Sequence, residues 1–212
     1  VVVSALGTLQ RLANKSVSTA LYSSITTDVA LGYLLDAIGW PKVMPQYVLN
    51  DLDNRIGYWR LGEASGAAVD SSTGGNNGTV TIGVGTRDAA ALDDAGDGSI
   101  DFDGLDTRVV ITDVAALRNP WDASGSLFFM FRADSDGEAD NGRIIDKNNW
   151  YLRVQDEAGG NVRLQFFVDF DTTDGIWQTA VNIPITTTII GVLVYDADAV
   201  ANNPTLYLWN GT

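Results

Sequence analysis

Carboxylates are the side chains of this sequence best placed to do chemistry, and the candidates among them lie in three segments. Asp70 stands alone in AVDSSTGGNNGTV, among glycines that permit positive φ and asparagines that tolerate it. Oxygen ligands of this kind suit a hard cation such as calcium, and a tight surface connection explains the same composition without a ligand. DDAGDGSIDFDGLD, residues 93–106, imitates a calcium-binding EF-hand loop. Counted from Asp93, however, position 3 is Ala95 and position 12 is Gly104, so the bidentate glutamate is missing. Solvated charges on a strand face, Asp101 and Asp103 together with Phe102 opposite, are the simpler expectation. DSDGEADNG, residues 134–142, is expected to be a hairpin loop.

Absent residue types close several routes. The chain has no Cys and no His, so disulfides, thiolate metal sites, Ser-His-Asp triads, Cys-His dyads and HExxH zinc helices are all impossible within it. Catalysis would have to rest on carboxylates, Lys or Tyr. The formal net charge is −14, and it is unevenly placed. Residues 1–50 hold Arg11, Lys15 and Lys42 against Asp28 and Asp36, a net of +1, which leaves −15 for the rest. An acidic body repels phosphate backbones, so nucleic acid is not an expected partner. No apolar run approaches the roughly 20 residues a bilayer requires, so no membrane insertion is expected.

The elements that must position these loops change character along the chain. In TTDVALGYLLDAIGWP, Leu31, Leu34, Leu35 and Ile38 recur at helical spacing, with Thr26 or Thr27 to cap and Gly39 and Pro41 to stop, predicting a short helix over about 27–38. Val1-Val2-Val3 reads as a chain entered in mid-strand, with residues upstream expected. Residues 1–50 therefore form a small α+β segment with too little core to stand alone. From residue 51 onward the pattern is strands separated by Gly, Asp and Asn turns. IGYWRL, TVTIGV, SIDFDG, TRVVITD, SLFFMFRA, GRIIDK, WYLRVQDE, NVRLQFFVDF, IWQTAV, TTIIGVLVYDA and TLYLWNG each have strand length. In NVRLQFFVDF, Val162, Leu164, Phe166, Val168 and Phe170 share one face. The fold class expected is mainly β, an antiparallel β-sandwich spanning 51–212 behind a 1–50 segment. Tyr58 and Trp59 would point to opposite faces of the first strand, at least one of them into the core.

YWRLGE, Gly66, Asp70 with SSTGGNNGT, SIDFDG and LYLWNG follow in an order that resembles a laminin-G-like, concanavalin A-type jelly-roll domain over about 55–212. Members of that family continue past the LYxNG-type hairpin, so the resemblance implies further strands beyond residue 212. It extends the calcium expectation to Asp70. It also implies that Trp150, after Asn148-Asn149, or Trp177, after Asp174-Gly175, could stack on a sugar, although a core or hairpin-packing role suits each. Glucanases of the fold use an E-x-D-x-x-E strand. Glu63, Glu138 and Glu157 sit in no such pattern, so no enzyme is expected.

ALGTLQRLANKSVSTALYSSITTDVALGYLLDAIGWP resembles a piece of phage minor tail, or tail-hub, proteins. Together the two resemblances imply a viral structural protein of the virion tail. A docking segment would contact other tail proteins, and a jelly roll would either adhere to a host cell-surface glycan or protein or stabilise the tail tip. By resemblance alone it would be a homo-oligomer, a trimer. Two alternatives stay open: an extracellular bacterial carbohydrate-binding adhesin, and a bracing domain with no ligand.

Overall fold

The computed structural model describes residues 55–92, 98–122, 124–197 and 202–210. The chain divides into two compact units, Val1–Lys42 and Val43–Thr212, and every described residue belongs to the second. The expected 1–50 segment, its helix over 27–38, the boundary at 50/51 and the acidic residues 93–97 lie outside the described residues. The described part is mainly β, and every strand pairing in it is antiparallel.

The strand expected over 56–61 is reduced to one bridge, Trp59 to Asp70, followed by a second bridge from Ala68 to Gly78. The Trp59 ring folds back over Gly57, where a Cβ would stand 2.0 Å from it. Its indole N–H donates to the Asn76 carbonyl at 2.8 Å, so the ring fastens a loop and the small residues that follow extend no ladder.

Next comes an interrupted pair of chains. Strand β1 (Gly78–Thr81) pairs with β4 (Arg108–Ile111), and β2 (Thr86–Ala89) pairs with β3 (Ser99–Asp101). The first register stops at Thr81 opposite Arg108, and the second resumes at Thr86 opposite Asp101. Unequal connections, 82–85 and 102–107, separate the two and cannot pair residue for residue. The strands expected as TVTIGV and SIDFDG therefore each end early.

After a short helix α1 (Ala115–Arg118) the chain builds two larger sheets. One is three-stranded, in the order β12 (Thr205–Trp209), β11 (Thr188–Tyr195), β5 (Gly125–Arg132). The other runs β10 (Ile183–Pro184), β8 (Asn161–Val168), β7 (Trp150–Ala158), β6 (Gly142–Asp146), with β9 (Gly175–Gln178) also paired to β8. Residues 134–142 correct an expectation. They make no hairpin, because β5 pairs with β11 and β6 with β7; they carry the chain between sheets through a 3-10 turn at Glu138–Asp140. A genuine tight hairpin joins β7 to β8. Gly159 and Gly160 both take positive φ between the paired residues Ala158 and Asn161, the geometry that the right-handed strand twist favours.

Alternation sets the core. Trp150, Leu152 and Val154 on β7, with Val162, Leu164, Phe166 and Val168 on β8, share one buried cluster with Phe129 on β5 and Ile189, Leu193 and Tyr195 on β11. One face of each sheet thus contributes to a single interior, an arrangement compatible with a β-sandwich. Trp121, 1% exposed, meets the rings of Trp150 edge-on at 5.2 Å and Phe166 at 5.1 Å. Opposite Phe129 stands Gly191, and the ring occupies the space a Cβ would need, 2.2 Å away.

Candidate functional site

The residues expected to bind are not brought together. Trp150 opens β7 but points inward, 3% exposed, and so offers no ring face to a sugar. Trp177 packs on the same core, stacked on Phe166 at 5.7 Å and held by an indole N–H to Asn203 Oδ1 at 3.0 Å. Asp70 is 6% exposed and its oxygens already accept hydrogen bonds. Oδ1 takes the Tyr58 and Ser72 N–H groups at 2.8 and 2.9 Å, and Oδ2 takes that of Asn76 at 2.7 Å. Burial pushes the Asp70 carboxyl up, yet the bonds from Ser72, Tyr58 and Asn76 outweigh it, and the group ends below the ordinary aspartate range. Its backbone N–H in turn donates to Asn77 Oδ1 at 2.9 Å. Asp70 therefore clasps the glycine-rich loop to residue 58. No group of three acidic side chains placed to hold a metal occurs among the described residues.

Asp103, expected as a solvated strand charge, lies past the end of β3 and is the brace of the interrupted ladder. Oδ1 accepts from the N–H groups of Leu105, Asp106 and Thr107 at 2.9, 3.1 and 3.0 Å. Oδ2 accepts from Val84 and Gly85 N–H and from the Thr107 hydroxyl. The Leu105 N–H first, then those of Thr107 and Val84, hold this carboxyl far below the usual range. The carboxylate supplies acceptors where a strand partner would otherwise stand.

A face that sequence patterning did not single out is the outer side of the β6–β9 sheet. Because Leu152, Val154, Leu164 and Phe166 turn inward, Tyr151, Arg153 and Phe167 turn to the other face, half-buried, and cover Gln165, which is buried on that face. Cross-strand register aligns Asp146, Tyr151, Phe167 and Ile176 in one row and Arg143, Arg153, Gln165 and Gln178 in the next. Tyr151 and Phe167 stack at 4.7 Å with their planes 9° apart, and the Arg143 guanidinium lies 3.7 Å over the Tyr151 ring. Gln165 Oε1 accepts from the Tyr151 hydroxyl at 3.0 Å and from Arg153 Nε at 2.9 Å. Arg143 also pairs with Asp146 at 3.3 Å, and Arg163 with Asp156 at 2.8 Å. The ring faces are covered by one another and by guanidinium, so the face presents ring edges, N–H groups and amides. Such groups recognise hydroxyls and carboxylates through hydrogen bonds. The strict alternation of WYLRVQ and NVRLQFFV carried this signal.

No described protein family, curated protein or solved structure matches the chain. No described helix is long and apolar enough to cross a membrane.

Proposed function

We propose that the chain is a non-catalytic, tail-associated phage protein. Its jelly-roll domain adheres to a host-surface glycan, and a small N-terminal α+β segment docks it to other tail proteins. The order of the YWRLGE, DSSTGGNNGT and LYLWNG motifs supports the jelly-roll domain, and the STALY…GWP run alone supports the phage tail assignment. The adhesive role leans on one structural observation, the outer face bearing Arg143, Tyr151 and Arg153, the last two held in place by the buried Gln165 amide. Guanidinium and amide groups fixed on strands are pre-organised for hydroxyl-rich or carboxylate-bearing saccharides, with little ordering cost on binding. A second role, bracing the tail tip without a ligand, draws support from the same face, since Gln165, Asp146 and Asp156 already satisfy much of it internally.

Glycan-array binding of the full chain decides between the two. Adhesion predicts a hit that the double substitution Arg143→Ala, Arg153→Ala weakens by about tenfold or more while the fold is kept. A blank array, or a hit indifferent to that substitution, rejects adhesion through this face. Trp150→Ala is unsuitable for this test, because it would empty the core.

A further inference from the structure

We propose that the turns 82–85 and 102–107 form a docking surface for a basic, apolar surface of a different protein chain. Ile82, Val84, Phe102 and Leu105 emerge from these two short segments and are 37%, 84%, 47% and 66% exposed. Scattered apolar side chains on a surface need no explanation, but a cluster on one pair of turns does. These turns are also rigid. Val84 and Leu105 donate their N–H groups to opposite oxygens of the same Asp103 carboxylate, at 2.8 and 2.9 Å. Thr107 Oγ1 adds a second tie, accepting from Gly83 and Gly85 at 3.1 and 3.2 Å. Asp106 closes over Gly83, its Oδ1 standing 1.4 Å from where a Cβ would sit. The backbone beneath the apolar side chains is therefore ordered before any partner arrives, which lowers the entropy cost of association.

The surroundings select the occupant. Asp106 is exposed on the second turn, and Asp101, the last residue of β3, is exposed just before it. Gly104 abuts the Gly137–Glu138 backbone, 3.9 and 3.7 Å from its Cβ position, which places the exposed Glu138 alongside. The basic residue next to them, Arg108, turns its guanidinium to the Asp106 carbonyl at 3.4 Å. Apolar side chains rimmed by carboxylates on a chain of net charge −14 repel a second copy of themselves and an anionic lipid surface alike. A lysine- or arginine-bearing surface with apolar side chains is complementary on both counts. Asp103 itself takes no part in contact with the partner, because its lone pairs are already spent on the backbone. This surface is separate from the Arg143–Tyr151 face, and the inference stands whether or not that face binds a glycan.

The test uses the full chain and three synthetic peptides of one length: amphipathic Lys/Leu, Lys/Ser and Glu/Leu. The Lys/Leu peptide should bind and shift the backbone amide resonances of 82–85 and 102–107. The double substitution Val84→Ser, Leu105→Ser, at positions too exposed to disturb folding, should weaken it by about tenfold. The Lys/Ser peptide should bind about tenfold more weakly than Lys/Leu, and Glu/Leu should not bind. Unchanged affinity in the serine variant would mean only diffuse charge attraction and would overturn the proposal. Glu/Leu binding would overturn it equally, as would sedimentation showing a dimer that the serine variant dissolves. Asp103→Asn supplies a further measurement: it keeps the apolar side chains but loosens the turns, and should weaken Lys/Leu binding without abolishing it.

Discussion

Residues 55–111 and residues 121–209 reach order by different physics. The second region encloses Trp121, Leu152, Leu164 and Leu193, each about fully buried, and its stability rests on apolar area removed from water. In the first region the buried apolar side chains among the described residues are Ala68 and Ile100, while Val69, Val84, Leu105 and Val110 are exposed. It is ordered instead by Asp70 and Asp103, each accepting several N–H groups from residues that no continuous ladder serves. Carboxylates can replace strand pairing where chains of unequal length meet. The replacement is sensitive to protons, whereas a packed interior is not.

The largest effect should come from the interior. Trp121→Ala removes the ring on which Trp150, Phe166 and Tyr195 converge and should cost about 3–5 kcal/mol, read by chemical denaturation. A loss below about 1 kcal/mol would mean that the two sheets do not share that core.

Next in size, Asp70→Ala strands the N–H groups of Tyr58, Ser72 and Asn76 and should cost about 2–3 kcal/mol. Its hydrogen-exchange signature should stay within residues 58–78 and spare β7, β8 and β11. Acid should act on the same contrast. Asp70 and Asp103 sit below their ordinary range in the folded chain, so their stabilisation is complete above about pH 4 and is lost as pH falls toward the folded values. Amides of the 58–107 region should then open before those of the core strands. Simultaneous opening would show that the regions are one cooperative unit.

A smaller effect is expected from Trp150→Phe. The indole N–H of Trp150 is buried with no hydrogen-bond partner among the described residues, so phenylalanine forfeits volume but no polar contact. About 1–2 kcal/mol is expected from the cavity alone, and a loss nearer 4 would reveal an acceptor for that N–H.

Much of this contrast could be read in the sequence, and its failures have a common cause. The alternation in NVRLQFFV puts Val162, Leu164, Phe166 and Val168 on one face, and the structure buries all four, leaves Arg163 and Phe167 half-buried on the other, and also buries Gln165 beneath Tyr151 and Arg153. Period-two patterning also located β7, β11 and β12. It failed at IGYWRL, where a strand-like pattern found no ladder partner among the described residues, and at residues 134–142, where turn composition does not reveal which strands it joins. Asp103 was unreadable for the same reason. Two of its donors come from Val84 and Gly85, and local sequence cannot show that a carboxylate will meet amides from another segment. Trp150 and Trp177 were open to either role because both follow loops, and only packing decides burial.

The smallest predicted effect concerns the junction between the two regions. Asp113 accepts from Arg118 Nε at 2.8 Å and pairs with Lys147, while Asn149 donates to the Arg118 carbonyl at 3.1 Å. The Arg118 and Lys147 bonds together hold the Asp113 carboxyl down to about 2. A depressed carboxyl stabilises the fold at pH values above its unfolded value near 4, and that contribution fades as pH falls toward 2. Asp113 and Arg118 are well exposed and Lys147 partly so, so screening keeps the effect modest. Asp113→Asn should therefore leave stability at pH 7 slightly lowered and flatten the decline between about pH 4 and 2, with the difference shrinking in high salt. Denaturation midpoints across that window measure it. An equal slope in the variant and the parent chain would place the acid response entirely in Asp70 and Asp103, and the junction would then be no more than a surface contact.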